Sequence, residues 1–488
     1  MNKQPEIFLI SPYTRSYTQR MPLGLMGISS YLTSKGEENE ILDFKDMEPE
    51  KAFKKIQGRI SEAKPRFVGI TCLVSEMGVV KNICRFIRQN SINTKIIIGG
   101  PHPSFRPQHI IDMKIEFDYL ILGEGEHTFY ELVQALRKET EIKKVKGIAY
   151  LESGKIKFAP QRELIQDLDY LPFPAYDKVD MAYYSRPNVW AIRPIYISSF
   201  NIFTSRGCPY NCKFCVAHTI FGKKIRFMGP KRVVEHIEYV LKKYKVDALY
   251  FADESFTVSK QRIYDIFNLL KKKNIKFLWG CQTRVNLLDE ELIRFMKKNG
   301  CIQIEFGIES GSDKMLKIMN KGTSVKQIME IGEICRKLRM RVLANMLINL
   351  PGETMEDIKA SIDLVKKMKY NMVLWNIYIP FPGVEFGRSL DLEDLNPMLK
   401  YPSKETIDLL EKKYKFALYK KPIQKVAEEL YSLTFYPKHI RFTLSLSYWA
   451  SFFRLISFVF DHRYILQMLK SKRKMQYINN LFTQRTTK

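Results

Sequence analysis

The sequence predicts an α/β protein in successive units: a doubly wound, Rossmann-like parallel sheet over residues 1–142, a linker over 143–193, the strands and helices of a partial six-stranded (β/α)6 barrel over 194–395, and a mainly helical region over 396–488. Three observations carry this. Short apolar runs alternate with helical stretches from residue 7 to 379. Prolines at 172, 174, 187 and 194 interrupt the alternation, because they bar a regular helix. Past 396 the rhythm gives way to a basic, aromatic composition.

In the first domain the strand candidates are Ile7–Ile10, Glu40–Asp43, Phe67–Cys72, Lys95–Ile98 and Tyr119–Leu122, each short enough for a buried parallel strand. Leu23–Lys35, Glu50–Ala63, Val79–Gln89 and Glu126–Lys138 read as the crossover helices. A ligand of such a sheet belongs in the crevice at the carboxyl ends of its strands. The residues expected there are Thr71 to Ser75, Gly99-Gly100-Pro101-His102 and Gly123-Glu124-Gly125-Glu126. Glycines let the backbone approach a ligand and hydroxyls supply donors, although tight turns in any such fold also need glycine.

The linker contains a hairpin, Gly147–Tyr150 with Ile156–Phe158, turning at Ser153-Gly154. In the second domain the strand candidates are Ile195–Thr204, Ala248–Phe251, Phe277–Cys281, Ile302–Gly307, Val342–Ile348 and Val373–Ile379. Helices are predicted between them at Lys231–Lys243, Lys260–Lys272, Asp289–Lys298, Val325–Leu338 and Met355–Met368. Six strands are too few for a closed eight-stranded barrel, so an open one is expected, with its site again at the strand carboxyl ends.

Hydrophobic content of 45% and charged content of 27% place the chain among globular proteins and select no function. The formal charge of +27 favours an anionic partner, whether nucleic acid, phosphate-bearing substrate or membrane face, or else a solvated basic surface. The opening MNKQPEIFLISPY lacks the apolar core of a signal peptide, so a reducing cytoplasm is expected. Five of the eight cysteines (72, 84, 281, 301, 335) read as buried apolar side chains.

The other three, Cys208, Cys212 and Cys215, stand at C-x3-C-x2-C spacing directly after the first strand of the second domain. Structural zinc wants four ligands, and the nearest further candidate is His218; ferredoxin-type clusters also use four cysteines. Three thiolates instead leave one iron of a 4Fe-4S cluster open.

This C-x3-C-x-aromatic-C loop at the end of the first strand of a six-stranded α/β repeat resembles that of the radical S-adenosylmethionine superfamily. The resemblance implies that Cys208, Cys212 and Cys215 hold a 4Fe-4S cluster whose open iron binds S-adenosylmethionine, with Phe214 beside it. Reductive cleavage then gives a 5'-deoxyadenosyl radical, with a flavodoxin or ferredoxin-type reductant as electron donor. By resemblance Asp253 and Glu254 meet the methionine ammonium, though either also suits a helix N-terminus. Arg284 is the candidate for the methionine carboxylate, or for a surface ion pair, and Glu309 with Ser310 for the ribose.

The first domain, with Pro22-Leu23-Gly24-Leu25 opening its first helix, looks like the cobalamin-binding domain that precedes many radical S-adenosylmethionine enzymes. Thr71, Ser75, Gly99, Gly100, His102, Gly123, Glu124 and Gly125 are its expected cofactor residues. No Asp-x-His-x-x-Gly signature is present, which implies cobalamin bound base-off without a protein histidine on cobalt. The order of domains resembles the cobalamin-dependent methylases and the anaerobic magnesium-protoporphyrin ester cyclase. In the methylases one S-adenosylmethionine supplies a methyl group to cobalamin and a second makes the radical.

C-methylation of a small-molecule or lipid-like substrate is therefore the expected activity, with oxidative cyclisation or rearrangement as the alternative. A methylthiolating tRNA enzyme needs a second cysteine triad that Cys72 and Cys84 cannot supply, and nucleic acid is not expected as a partner. A non-catalytic iron-sulfur protein is a more distant alternative.

From Pro397 to Lys488 there are 18 lysines and arginines against 6 acids. Phe442, Leu446, Trp449, Phe453, Ile456 and Phe460 form one face of a helical pattern, with Thr443, Ser447, Ser451 and Arg454 opposite. The stretch 442–474 is expected either to lie on an anionic membrane, placing the protein at its inner face, or to cap the open barrel.

Overall fold

The computed structural model describes residues 4–13, 20–185, 192, 198–244, 246–368, 370–378 and 384–387. The first domain holds β1 (Ile7–Ser11), α1 (Leu23–Ser34), β2 (Asn39–Asp43), α2 (Pro49–Ala63), β3 (Phe67–Thr71), α3 (Met77–Asn90), β4 (Lys95–Gly99), α4 (Pro101–Phe105), α5 (Pro107–Asp112), β5 (Tyr119–Ile121) and α6 (Gly125–Arg137). The hairpin β6 (Ile148–Glu152) and β7 (Lys155–Phe158) follows.

The strand order is β2-β1-β3-β4-β5-β6-β7, parallel as far as β5. Strand β1 is buried over its whole length because strands lie on both sides of it and helices cover both faces. The chain reverses direction of travel between β1 and β3, which opens a crevice at their carboxyl ends.

Hairpin β6–β7 is not part of the linker. Strand β6 pairs antiparallel with β5, so the first sheet runs on to Phe158. Local pattern identifies a hairpin, but the edge it joins is a tertiary choice.

The linker proper is packed against both domains. Tyr184 Oη donates to Asp43 Oδ2 (2.5 Å), Ala175 N to Met26 O (3.1 Å) and Lys178 Nζ to Asn39 O (3.0 Å) on one side, while Tyr176 Oη meets His236 Nε2 (2.9 Å) on the other. One apolar cluster runs from Leu9 and Met26 through Tyr176 and Tyr184 to Phe200 and Leu249. The linker therefore welds the domains together.

After α7 (Met181–Tyr184), the second domain comprises β8 (Ser199–Ile202), β9 (Ser205–Arg206), α8 (Ala217–Phe221), β10 (Arg226–Phe227), α9 (Pro230–Tyr244), β11 (Ala248–Phe251), α10 (Lys260–Lys272), β12 (Leu278–Thr283) and α11 (Glu290–Lys298). It continues with β13 (Cys301–Glu309), α12 (Asp313–Ile318), α13 (Val325–Lys337), β14 (Val342–Ile348), α14 (Met355–Met368) and β15 (Met372–Ile377). Its six-stranded sheet is parallel, in the order β15-β14-β13-β12-β11-β8. Ser259, Asp289 and Ser312 each accept a bond from a first-turn N–H, so three helices start within a few residues of the strand ends.

The expected helical region over 396–488, including 442–474, lies outside the described residues, as do 379–383. Among the described residues no helix is long and apolar enough to cross a membrane.

Candidate active site

Arg206 ends β9, and Gly207 turns the chain into the cysteine loop with φ +97°. A Cβ at this position would stand 2.5 Å from Lys224 O, so the loop folds back on itself only because residue 207 is glycine. Cys208 N donates to Gly222 O (3.2 Å) and Lys213 N to Met319 O (3.0 Å), tying the loop to its own base and to the end of α12.

Cys208, Cys212, Cys215, Tyr210, Phe214 and His218 line one side of a cavity of about 180 Å³. Glu254, Gln282, Thr283, Arg284, Glu305, Gly307, Glu309, Lys321 and Asn345 complete it, most of them from the carboxyl halves of β11 to β14 and the loops that follow. Among the described residues no group of three His, Cys, Asp or Glu side chains is placed to hold a single metal ion.

Burial raises the Cys208 thiol and pushes that of Cys215 up to about 12, and bound iron would hold the sulfurs as thiolates. Arg284 Nη1 donates to Cys212 Sγ at 3.3 Å. Three cysteines beside a polar cavity fit a 4Fe-4S cluster with one iron left for a further ligand.

The two acids after β11 have different surroundings. Asp253 is fully buried and accepts from Thr204 N (2.7 Å), Thr204 Oγ1 (2.8 Å) and Ser205 Oγ (2.7 Å). It ties β11 to the segment leading into the cysteine loop and does not line the cavity, contrary to its expected place beside a ligand. Glu254 does line it, and burial, with the Asp253 charge second, raises its carboxyl to about 7.

Ser310 also departs from expectation. Its hydroxyl is fully buried, 3.4 Å from Ser361 Oγ and accepting from Ser312 N at 3.2 Å, so it organises the β13–α12 turn. Glu309 faces the cavity with φ +69°, where the β13–β14 register slips between Gly307 and Glu309. Its partner is Lys321, whose Nζ donates to Oε1 at 2.8 Å, both side chains being less than a tenth exposed.

Lys321 was not singled out from sequence, nor was Glu305. Glu305 accepts from Tyr250 Oη (2.7 Å) and Asn345 Nδ2 (2.7 Å). An inward polar residue within an apolar strand was the available signal. Arg284 stacks on Tyr210, 3.8 Å from its ring centre, and its buried Nη2 has no partner among the described residues. The cavity thus offers an open guanidinium nitrogen for an anion and Glu254 for a cation.

In the first domain Thr71, Ser75, Gly99, Gly100 and Gly123 lie at the carboxyl ends of β3, β4 and β5 or just beyond them, at the mouth of the crevice. Gly100 has φ +101°, and a Cβ there would meet Thr71 Oγ1 at 2.8 Å.

Three further candidates do not present side chains to the crevice. His102 Nε2 lies 3.0 Å from His109 Nδ1, and burial, then the neighbouring His109 charge, lowers its pKa to about 4. Gly125 is required by packing, since a Cβ would stand 2.7 Å from Ile28 Cδ1. Glu124 bonds to Arg206 and Arg226 of the second domain (2.9 Å each). Beside it, Glu126 accepts from Arg206 Nη2 at 2.6 Å; burial alone would raise this carboxyl, but the Arg206 charge holds it below its ordinary value.

Comparison with known proteins matches residues 202–365 to the radical SAM superfamily and residues 14–133 to the B12 binding domain. An uncharacterized methyltransferase of Pyrococcus horikoshii is 32% identical over 412 residues, covering 83% of this chain and 87% of its own. The chain belongs to the radical S-adenosylmethionine enzymes that carry a B12 binding domain.

The anaerobic magnesium-protoporphyrin IX monomethyl ester cyclase of Rubrivivax gelatinosus is 26% identical, over 73% of this chain and 66% of its own. The solved structure of the radical S-adenosylmethionine methyltransferase TsrM from Kitasatospora setae, with cobalamin and a 4Fe-4S cluster bound, shares the fold. It superposes with a TM-score of 0.65 at 19% identity, over 80% of this chain and 78% of that one. The cofactors of this radical SAM enzyme are accordingly a 4Fe-4S cluster, S-adenosylmethionine and cobalamin.

Proposed function

We propose that this enzyme methylates an unactivated carbon of a small-molecule or lipid-like substrate. The observation that carries the reading is the joining of two cofactor domains in one body: the B12 binding domain is bonded through Glu124 and Glu126 to the arginines flanking the cysteine loop. The methyltransferase relative, aligned across both domains, agrees with it.

When bound, the cluster supplies the electron that cleaves the sulfonium and cobalamin carries the methyl group. The protein's part is to bind and orient. Glu254, ionised above about pH 7, takes the methionine ammonium, while the open Nη2 of Arg284 takes its carboxylate. Glu309, held by Lys321, accepts from the ribose hydroxyls, and Phe214 packs beside them. In the crevice the backbone at Gly99 and Gly100 with the Thr71 and Ser75 hydroxyls meets cobalamin. His102 Nε2 is engaged with His109 Nδ1, which supports a cobalamin site in which this nitrogen would not be a ligand.

A flavodoxin or ferredoxin-type donor supplies electrons. A lipid-like substrate rests on the basic aromatic stretch 442–474 and its contact with an anionic membrane.

The test uses full-length enzyme, reconstituted anaerobically with iron, sulfide and hydroxocobalamin, and given methyl-labelled S-adenosylmethionine and a cell extract as substrate source. S-adenosylhomocysteine and a labelled carbon–methyl product, formed together with 5'-deoxyadenosine, are expected. 5'-Deoxyadenosine without S-adenosylhomocysteine would transfer the assignment to oxidative cyclisation, the second reading, which the Rubrivivax relative favours.

A further inference from the structure

The cysteine loop is closed at its base by the ribbon β9–β10, in which Arg206 and Arg226 stand directly opposite each other. Like charges at facing positions of an antiparallel pair repel. Their carboxylate partners come from the other domain: Glu124 Oε1 accepts from both guanidinium groups at 2.9 Å, and Glu126 Oε1 from Arg206 at 2.6 Å.

Most of the cluster of charges is enclosed. The side chains of Arg226, Glu124 and Glu126 are 3%, 5% and 6% exposed and that of Arg206 is 24% exposed, so solvent does little to screen Arg226 and screens Arg206 only in part. Gly27 on α1 makes room for Glu126, since a Cβ would lie 3.1 Å from Oε1. Glu124 Oε2 also accepts from Ile165 N (2.7 Å), and Arg226 donates to Ile165 O (2.5 Å) and Phe221 O (3.0 Å), so the linker and the far side of the loop enter the same network.

We propose that Glu124, Glu126, Arg206 and Arg226 form an interdomain clasp that holds the cysteine loop in its cluster-binding shape, so that the cluster site is incomplete without the first domain. Arg206 lies two residues before Cys208, and both arginines are positioning residues that act through the loop they close. Neutralising one carboxylate leaves two facing cations, one of them buried, with a single carboxylate between them, and the ribbon relieves the excess repulsion by splaying. The clasp is needed whether the enzyme methylates or cyclises.

Its test is made on full-length protein with the cluster reconstituted anaerobically. Iron release to a ferrous chelator is timed in native buffer, and thermal midpoint and cluster reduction potential are measured on the same samples. Glu124→Gln, Glu126→Gln and Arg206→Gln are expected to speed release by about tenfold or more and to shift the potential, because an unpaired buried charge deforms the loop. Arg206→Lys keeps the charge but puts one ammonium where the guanidinium reached two carboxylates, so it is expected to restore part of the loss, with release between those of wild type and Arg206→Gln. Release rates and potentials unchanged in the three glutamine variants would overturn the clasp. So would faster release that only follows the fall in thermal midpoint and is not even partly restored by lysine at 206.

Discussion

The two sets of strand ends in this molecule are built from different materials. Those of the second domain surround their cavity with ionisable side chains: three thiols, Glu254, Glu305 and Glu309, Arg284 and Lys321. Those of the first domain offer Thr71, Ser75 and the backbone at Gly99, Gly100 and Gly123, while its nearby charged groups turn elsewhere, Glu124 and Glu126 to the clasp and the histidines to each other. A site that binds a charged amino acid cofactor and iron needs charges; a crevice that accepts a large macrocycle needs open backbone. Substitutions should therefore act through electrostatics in one place and through shape in the other.

The largest effect is expected from Cys208/Cys212/Cys215→Ala, which should abolish the iron-sulfur absorption of reconstituted protein and all 5'-deoxyadenosine formation, read by spectroscopy and chromatography. Lys321→Met strands the buried Glu309 carboxylate and should cost about 3–5 kcal/mol in denaturant unfolding. On the other side of the comparison, Gly100→Ala forces a side chain into a φ of +101° against Thr71 and should cost about 1–3 kcal/mol, with hydroxocobalamin binding weakened.

Glu254 sharpens the contrast through pH. Its folded pKa is about 7 against an ordinary 4.5, so the folded protein holds this proton more tightly and stability falls as pH rises between those values. Affinity for S-adenosylmethionine should rise over the upper part of the same window, by about tenfold per unit at most, as the carboxylate ionises. Glu254→Gln should flatten both curves, and a titration calorimetry series that keeps its slope in the variant would remove Glu254 from the site. The smallest effect belongs to Ser310→Ala, which breaks a turn bond worth about 1 kcal/mol and should leave cofactor affinity as in wild type.

Much of the fold was legible. Strands β11 and β14 and helices α10 and α14 fall on the expected residues, because short buried runs and helical periodicity are local properties. The cysteine loop is a local feature for the same reason, since its three cysteines lie within eight residues. Asp253 and Ser310 were misjudged because adjacent residues at a strand end point in opposite directions, and sequence does not say which one enters the cavity. Hairpin β6–β7 was recognised but assigned to the linker, since pairing with β5 depends on where the sheet ends.

By itself the sequence determined the order of strands and helices, the three thiols on one loop and the glycines at the first domain's strand ends. Each follows from spacing along the chain. Tertiary structure alone decided that Lys321 pairs with Glu309 twelve residues earlier, and that Glu124, eighty-two residues before Arg206, faces that arginine instead of the crevice. Buried charges must find opposite charges wherever packing brings them, and that choice is made between elements rather than within them.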